Sequence, residues 1–474
     1  MADIDITSKE IDGMGPHGTK VGLLRVLGPA HVWALGVGIV LVGEYMGWNF
    51  AVGKGGAYAA LIACWVAGIL YTCVAMIDSE VTSTVAAAGG QYTQAKHIVG
   101  PLMAFNVGLY LVFAYTMLEA ANAITAGYLV SEVARLTGYA GELNQRPFIV
   151  LVIMFLAWLN YRGVLATLTF NLVITAIAFS AIIILFLSTS GLLGGGLMQH
   201  AALFEGQELP YGWIGVLAAM HFGLWYYLGI EGTTQAAEEV RSPARALPFG
   251  TLAGIMTLAI AATLTWYMCS GLMPWEYLGQ AGVPLFDAAR LSESTFLLWF
   301  LGFGTLFATL ASANGCINDA SRAWFAMGRD KYLPGWFGAV HPKFRTPYRS
   351  IIFLVPIALI FALGAPIDQV ITFSILSGLL EYTFMPLNII LFRKKWPLDS
   401  IKRGYEHPFH PVPAIVLLAI CATVFFAVFL GYGTQLVAMI GFYIVVSLWF
   451  HFWRYRFVNR GAQFTMPWPK PQGY

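Results

Sequence analysis

Four glutamates lie inside long apolar stretches of this sequence, namely Glu44, Glu119, Glu231 and Glu381. An ionised side chain in hydrocarbon costs at least about 2.5–3.5 kcal/mol, so such residues usually face a cavity, pair with an opposite charge or titrate. No lysine or arginine is predicted inside these stretches, so the polypeptide supplies no obvious basic partner. Each glutamate is therefore expected either to hold a proton or to bind a cation that comes from outside.

Aromatic residues and glycines surround two of these glutamates. Glu44 lies in "VGEYMGWNF", residues 42–50, and Glu231 follows "HFGLWYYLGI" at residues 221–230. Aromatic faces attract ammonium groups by about 2 kcal/mol or more in a desolvated site, which favours a bound organic cation. The alternatives are that these aromatics only fill helix interfaces and that Glu231 caps unwound backbone amides. The predicted substrate-binding residues are Gly43, Glu44, Tyr45, Gly47, Trp48, Phe222, Trp225, Tyr226, Gly229, Glu231 and Gly232.

Other polar residues suggest coupling or gating. Glu119 could line an outer vestibule or bond a hydroxyl on the eighth apolar stretch, and Glu381 is a candidate for a coupling proton. Sodium at a Thr309 and Ser312 site remains an alternative, as does transport without coupling. Asp78 and Glu80 are expected at the membrane interface.

The adjacent carboxylates Glu238 and Glu239, in "AAEEVRSPARALP", suggest an inner gate. They are expected to pair with Arg241 or Arg245, or with basic residues in the loop after the eighth stretch. The alternative is a solvated helix end. His221, with apolar neighbours, is expected to be a packing residue.

The composition indicates a membrane protein. Of 474 residues, 58% are hydrophobic and only 11% are charged, whereas soluble proteins carry about 25% charged residues. The net charge of +2 does not suggest a nucleic-acid partner. The five cysteines lie in apolar runs without metal-ligand spacing, so neither a metal nor another cofactor is predicted.

The apolar stretches predict an all-α protein with twelve transmembrane helices. A spanning helix needs about 20 mostly apolar residues, and the polar start of the chain contains no signal-peptide core. The predicted spans are 30–56, 57–78, 98–130, 147–162, 165–190, 212–237, 249–272, 294–320, 351–366, 369–392, 411–430 and 434–453.

The basic residues predict the orientation of these spans. If the N-terminus is cytoplasmic, only Lys54, Arg135, Arg146 and Arg290 fall outside, and the other 22 of 26 fall inside. This asymmetry follows the positive-inside rule. Both termini are therefore expected in the cytoplasm, with the chain crossing a bacterial cytoplasmic membrane many times.

Two predicted spans contain matching interruptions. The first is broken at "VGEYMG" and the sixth at "LGIEGTT", each with a glutamate beside glycines and about five spans apart. Paired interruptions of this kind indicate the binding site of an inverted-repeat transporter. The alternative is that these glycines only allow close helix packing. The predicted organisation is a tail at 1–27, a first repeat at 28–200, a second repeat at 201–395, a loop with two helices at 396–457 and a tail at 458–474.

Four motifs resemble the amino acid–polyamine–organocation superfamily of transporters, and within it the bacterial ethanolamine permease group. They are "LGPAHVWALGVGIVLVGEYMGWN", "AAGGQY" with "VGP", "GIEGTTQAAEEVRSPARALPFG", and "ASANGCINDASRAWFAMGRDKYLP" with "VHPKFRTP". The resemblance implies a LeuT-like five-plus-five inverted repeat, with helices 1 and 6 broken and two C-terminal helices added. It also implies substrate binding at the two breaks and alternating access.

One departure from the superfamily bears on the substrate. Amino acid permeases of the superfamily carry small residues at the first break, where exposed amides hold the substrate carboxylate. Here the tripeptide is Gly43-Glu44-Tyr45, and a glutamate repels a carboxylate. The predicted function is import of a small cationic amine such as ethanolamine, with H⁺ as the favoured coupling ion over Na⁺.

Alternative functions are weighed against this prediction. An amino acid permease or exchanger of the same superfamily is the main one. An enzyme is disfavoured because the sequence contains neither HExxH nor GxSxG. A channel is disfavoured because no filter motif repeats. The expected partners are the amine and the lipid bilayer, and a homo-oligomer is left open.

Overall fold

The structure is a computed structural model that describes residues 13–14, 20–21, 26–84, 89–139, 141–192, 209–401 and 403–458. Within these ranges the chain is almost entirely helical. The β-structure there is an antiparallel contact of Gly13–Met14 with Lys20–Val21 and a bridge between Leu27 and Val240. The predicted tails lie almost wholly outside the described residues, as does the predicted repeat boundary at 200/201.

The α-helices are long and follow one another closely along the chain. In order they are α1 (Pro29–Val40), α2 (Val42–Tyr45), α3 (Asn49–Gly55), α4 (Ala57–Thr84), α5 (Gly90–Ile98), α6 (Pro101–Leu136), α7 (Arg146–Arg162), α8 (Val164–Thr189), α9 (Gly212–Gly223), α10 (Pro243–Leu272), α11 (Trp275–Leu278), α12 (Pro284–Leu291), α13 (Thr295–Arg329), α14 (Tyr348–Gly364), α15 (Ile367–Lys395) and α16 (Val412–Phe452). Short 3₁₀ segments occupy Leu224–Tyr226, Ile230–Thr234, Ala237–Glu239, Gly335–Gly338 and Arg454–Phe457.

Many of these helices can cross a membrane. In the described part of the chain, eight are long and apolar enough, and nine if the bent pair formed by α1–α2 with α3 counts as one span. Their outward faces carry large apolar side chains, such as Trp213, Phe249 and Phe452. The chain is therefore a multi-pass membrane protein. The twelve-span count and the inverted repeat stay predictions.

The first membrane helix is broken around Glu44. Helix α2 ends at Tyr45, Met46 is extended, and α3 continues at an angle of 48° to the first part. Gly47 allows this turn because its φ is +90°, a conformation that side chains with a Cβ adopt only with strain. The break thus lies where the sequence predicts it.

The sixth membrane segment also unwinds. Helix α9 ends at Gly223, and the chain continues to Glu239 as three 3₁₀ segments joined by turns. Gly229 has a φ of +106°, which permits the turn before Glu231. Because 3₁₀ and turn geometry leaves backbone groups without α-helical partners, this segment can present them to a ligand.

The last helix is divided where the sequence predicts, whereas α13 is longer than predicted. Two spans are predicted over 411–453, and α16 contains two helical parts that meet at a non-helical kink at Tyr432, between the predicted spans 411–430 and 434–453. Helix α13 continues past the predicted end at 320 to Arg329. Arg322, which follows the predicted end of the eighth span, therefore lies within α13 and is buried.

Helix α13 lies at the centre of the molecule. It packs against α6, α8, α1 and the 3₁₀ segment Ile230–Thr234, so it contacts both broken helices. The carbonyl of Ile39 on α1 accepts a hydrogen bond from Ser312 on α13. The two breaks and α13 together enclose the buried polar residues described next.

Candidate functional site

The first break contains a buried carboxylate without a protein partner. Glu44 is fully buried, and neither of its carboxylate oxygens has a hydrogen-bond partner in the described part of the chain. Cys64, Tyr226 and Tyr227 lie within electrostatic range of it, and none of them carries a positive charge. The site can therefore hold a proton or a cation beside Glu44.

Two further polar atoms beside Glu44 lack partners. Trp48 and Tyr226 pack with ring centroids 5.8 Å apart and an interplanar angle of 31°. The Trp48 Nε1–H and the Tyr226 hydroxyl are buried, and neither has a hydrogen-bond partner among the described residues. Buried polar groups are normally satisfied, and a small ligand with both a cationic and a polar end would satisfy the groups of this cluster.

Two of the predicted binding residues, Gly43 and Trp225, hold the two breaks together, and a third, Tyr45, contacts α8. A Cβ on Gly43 would lie 2.8 Å from the carbonyl oxygen of Trp225, so only glycine allows this approach. The Trp225 Nε1 donates to the Met46 carbonyl at 2.9 Å. The Tyr45 hydroxyl donates to the carbonyl of Ala178 on α8 at 2.6 Å, so it is engaged away from the break.

Phe222, near the break, lines a cavity. Its ring packs on Phe50, with centroids 5.4 Å apart, and on His221 at 4.1 Å. His221 also packs on Tyr432, as expected for a packing residue. Phe222 lines a cavity of about 460 Å³ whose wall includes Lys54. The predicted topology would place Lys54 on the outer side.

Glu231 is held by partners on both oxygens. One oxygen accepts from the backbone N–H of Gly229 at 3.2 Å, and the other accepts from the Tyr382 hydroxyl at 2.8 Å. The alternative that Glu231 caps the unwound backbone thus matches the geometry. Gly232, which follows, packs so closely against Asp319 that a Cβ there would collide with the carboxylate.

Glu119 and Glu381 are both fully buried, and none of their carboxylate oxygens has a partner in the ranges that the structure describes. Glu381 lies within electrostatic range of Glu231 and Asp78. Glu119 lies within range of Cys316 on α13. The predicted hydrogen bond from Glu119 to a hydroxyl on α13 is therefore absent from the described residues.

The hydroxyls at the predicted sodium position are already engaged. Thr309 donates to the carbonyl of Thr305 at 2.8 Å, one turn earlier on α13. Ser312 donates to the Ile39 carbonyl and accepts from the Asn122 side chain, the latter at 2.7 Å. These bonds tie α13 to α1 and α6.

Glu238 and Glu239 form ion pairs with basic residues that follow the predicted eighth span, which is one of the predicted pairings. Glu239 binds Arg322 at 2.9 Å, and Glu238 binds Arg329 at 3.3 Å. Both arginines lie in the sequence predicted as the loop after the eighth span, which was expected to end at residue 320, and neither is Arg241 or Arg245. This part of the chain is helical, because α13 continues to Arg329 and passes directly beside the segment Ala237–Glu239. The Glu239–Arg322 pair is almost completely buried, so a solvated helix end is excluded.

Asp78 and Glu80, which are predicted at the membrane interface, are buried within the protein. Asp78 is buried and accepts from Gln91 at 2.7 Å, from Thr82 at 3.2 Å and from Gln94. Gln235 in the unwound segment joins this network through Gln91 at 2.8 Å. The sequence signal was the density of polar residues in "GGQYTQ", directly after an apolar stretch.

Glu80 forms a separate buried charge cluster. It binds Arg393 at 2.6 Å and the His407 ring at 2.6 Å, and it also binds Arg403. These residues come from the end of α15 and the following loop, so the cluster ties that loop to α4. The clustering of basic residues in "RKKW" and "IKRGY" was visible in the sequence, but their common acidic partner was not.

Comparison with known proteins agrees with this architecture. A family model described as "Amino acid permease" matches residues 27–470. An uncharacterized transporter of Rhizobium meliloti is 76% identical over 97% of this chain and 98% of its own length. A methylthioribose transporter of Bacillus subtilis is 26% identical, covering 87% of this chain and 90% of its own. A branched-chain amino acid permease of Bacillus subtilis is 23% identical, covering 88% and 87% respectively.

The family match covers nearly all of the described residues, including both broken helices and α13. The relatives are named as transporters or permeases rather than as enzymes. The chain therefore belongs to the amino acid permease family, within the amino acid–polyamine–organocation superfamily of transporters.

Proposed function

We propose that this protein is a secondary active transporter that imports a small cationic amine, such as ethanolamine, across the bacterial cytoplasmic membrane by alternating access. The observation that carries this proposal is Glu44, a buried carboxylate at the first break whose two oxygens have no partner among the described residues. A buried charge without a partner is very costly, so a cationic guest would be stabilised there.

The neighbouring polar atoms favour an amine that also carries a hydroxyl. An ammonium group beside Glu44 would leave the other end of a two-carbon chain near Trp48 and Tyr226. The Trp48 Nε1–H is a donor, and a phenol can donate or accept, so both suit an alcohol oxygen. The ring faces add a cation–π contribution of about 2 kcal/mol in a desolvated site.

The alternative substrate is an amino acid, with the protein acting as a permease or exchanger. The relatives' names cover methylthioribose and branched-chain amino acids, so family membership leaves the substrate open. Against a zwitterion stands the charge of Glu44, which would repel a substrate carboxylate at the first break. An amino acid would require Glu44 to contact only the ammonium end or to stay protonated.

Alternating access rests on the paired broken helices. Both breaks contain a glutamate beside glycines and lie at corresponding positions of the two predicted repeats. The predicted topology has twelve spans and cytoplasmic termini, with the inverted repeats made of spans 1–5 and 6–10. The cavity beside Phe222 and the ion pairs at Glu238 and Glu239 fit a state that is closed towards the cytoplasm.

Proton coupling fits the described residues better than sodium coupling. A sodium ion would need the oxygen lone pairs of Thr309 and Ser312, and the Ser312 oxygen already accepts a hydrogen bond from the Asn122 side chain at 2.7 Å. Glu119 and Glu381 are buried carboxylates without partners in the described ranges, and either can carry a proton.

The test is binding of ethanolamine to purified protein by calorimetry, comparing the wild type with Glu44→Gln. We expect the variant to lose at least roughly tenfold in affinity, because a hydrogen bond to a charged group contributes about 1.5–3 kcal/mol. The control is Glu142→Gln, an exposed carboxylate between α6 and α7. Equal affinity in the wild type and Glu44→Gln would remove Glu44 from the site.

A competition experiment separates the amine from the amino acid. Radiolabelled ethanolamine uptake into proteoliposomes is measured with an excess of unlabelled amines or zwitterionic amino acids. We expect competition from small amines and little from amino acids. If amino acids bind and ethanolamine-like amines do not, the permease alternative replaces the proposal.

A further inference from the structure

The inner ion pair joins three parts of the molecule. Arg322 contacts Glu239 through Nη2 at 2.9 Å and through Nε at 3.3 Å, and its Nη1 donates to the Asn318 carbonyl at 2.9 Å. The carbonyl of Glu239 accepts from the backbone N–H groups of Val26 and Leu27 at 2.9 and 3.0 Å. Any movement of Glu239 would therefore act on the segment that enters α1.

Asp319 lies one turn before Arg322 on the same helix and has spare bonding capacity. Its Oδ1 accepts from the Asn318 side chain at 2.8 Å. Its Oδ2 is buried, has no hydrogen-bond partner in the described ranges and faces Gly232 in the unwound segment. Residues three apart on a helix lie side by side, so the Arg322 side chain can reach Asp319 after a rotamer change.

Opening the cytoplasmic side would break the present pair. The rest of this inference depends on the proposed alternating-access transport, in which the segment Ala237–Glu239 moves away from α13. Arg322 would then be left without its carboxylate while still partly enclosed by helices, which is strongly unfavourable. A second carboxylate within reach of Arg322 removes that penalty.

We propose that Asp319 is the alternate acceptor for Arg322, which exchanges Glu239 for Asp319 when the cytoplasmic side opens. In the closed state Asp319 holds a proton, because an ionised carboxylate without a partner is not stable when buried. When the guanidinium arrives, Asp319 releases that proton to the cytoplasm, and Glu239 moves into water. Asp319 is thus a positioning residue that links gate opening to proton release.

The charges around Asp319 fit this exchange. Glu231 and Glu239 face it from the broken segment, and Arg322 faces it from its own helix. Tyr115 on α6 also lies within electrostatic range of Asp319, and its hydroxyl is buried without a described partner. The nearby carboxylates oppose ionisation of Asp319 until Arg322 approaches, so the proton would leave only as the gate opens.

The experiment measures access to the cytoplasmic side directly. The five native cysteines are first substituted. A reporter cysteine then replaces Ala236, which is buried directly before the segment Ala237–Glu239. Inside-out vesicles are treated with a membrane-impermeant thiol reagent. We expect Asp319→Asn to slow labelling roughly tenfold and Glu239→Gln to speed it by a similar factor, as the two acceptors compete for Arg322. Asp368→Asn, an exposed carboxylate at the cavity beside Phe222, serves as the control.

Two further measurements distinguish an exchange of carboxylate partners by Arg322 from a general destabilisation of the protein. Asp319→Glu keeps an acceptor and should restore labelling close to the wild-type rate. Labelling of the wild type should become faster as the pH rises, because opening releases a proton, and this response should be weaker in Asp319→Asn. The inference is overturned if Asp319→Asn labels at the wild-type rate or faster, or if both single variants shift labelling in the same direction.

The labelling experiment and the test of the proposed substrate can fail independently of each other. Labelling requires no substrate, so it reports on the gate whichever molecule is transported. Ethanolamine binding by Asp319→Asn should equal that of the wild type, because Asp319 lies away from Glu44. Failure of the wild type to bind amines would reject the substrate proposal and leave the labelling result to decide the role of Asp319.

Discussion

At the scale of single residues, the buried carboxylates fall into two classes. Glu231 and Glu80 have partners on both oxygens, whereas Glu44 has none in the described part of the chain. A satisfied buried group contributes to the fold, while an unsatisfied one costs free energy unless a ligand or proton completes it. This contrast separates residues that hold the breaks from residues that are available for transport.

The hydrogen bonds of Tyr382 allow a direct test of whether a buried carboxylate with partners, here Glu231, stabilises the fold. Its hydroxyl donates to Glu231 and contacts the Tyr71 hydroxyl at 3.0 Å, so Tyr382→Phe should destabilise the protein by about 1–3 kcal/mol. Thermal unfolding in detergent measures the change. The matched control is Tyr115→Phe, whose equally buried hydroxyl has no described partner and whose loss should change the melting temperature little. Equal effects in the two variants would contradict the assignment.

At the scale of elements, hydrogen bonds satisfy the backbone groups that the two broken helices leave free. Trp225 satisfies the Met46 carbonyl that the first break leaves free, and Glu231 satisfies the Gly229 amide of the second. Helix ends buried without such partners would be strongly destabilised. The unwound segments therefore persist because each one is capped, and their glycines allow the close approach.

The close contact between the two broken helices at Gly43 can be tested by substitution. Gly43→Ala would place a Cβ 2.8 Å from the Trp225 carbonyl, so we expect a loss of about 1–3 kcal/mol and weaker amine binding as the breaks separate. Thermal unfolding and calorimetry measure the two effects. Gly441→Ala, in α16 with no atom within 4 Å of its Cβ, is the control and should be neutral. A neutral Gly43→Ala would show that the contact can relax.

At the scale of the whole molecule, ion pairs join distant segments on the side that the proposed topology places in the cytoplasm. Lys96 on α5 binds Asp330 after α13 at 2.8 Å, and Tyr92 donates to the same carboxylate at 2.9 Å. These bonds join the first predicted repeat to the second, alongside the pairs of Glu238 and Glu239. In the proposed alternating-access cycle, these ion pairs would have to separate for the cytoplasmic side to open.

Asp330 gives a prediction for stability and pH. Burial opposes its ionisation, but Lys96 and Arg329 outweigh burial and hold the pKa of Asp330 below its usual value. Asp330→Asn leaves Lys96 buried and unpaired, so we expect a loss of about 3–5 kcal/mol by thermal unfolding. Asp399→Asn, an exposed carboxylate in the loop after α15, is the control.

The pH dependence of this effect has a defined sign. A carboxyl with a lowered pKa in the folded protein contributes stability above its unfolded pKa of about 3.9, and that stability is lost as the pH falls through the folded value. The difference between the wild type and Asp330→Asn should therefore be full near neutral pH and shrink below about pH 4. A difference that grows on acidification would contradict the pairing.

The amino-acid sequence alone determined the membrane class, the two breaks and the unusual carboxylate at the first of them. These features are local. Apolar length decides whether a helix can span, and glycines beside a glutamate in an apolar stretch mark a break. The motifs around residues 28–50 and 311–334 were enough to indicate the superfamily, which the family match confirms.

Only the tertiary structure decided which charges meet. Arg322 and Glu239 are separated by many residues, and their pairing depends on how far α13 extends and on how the sixth segment unwinds beside it. The same is true of Glu80 with Arg403, and of Asp319 facing Gly232. Hydrophobic patterning specifies which residues enter a helix, but long-range electrostatic partners are specified by packing, because it brings segments distant in the chain to within a few ångströms of each other.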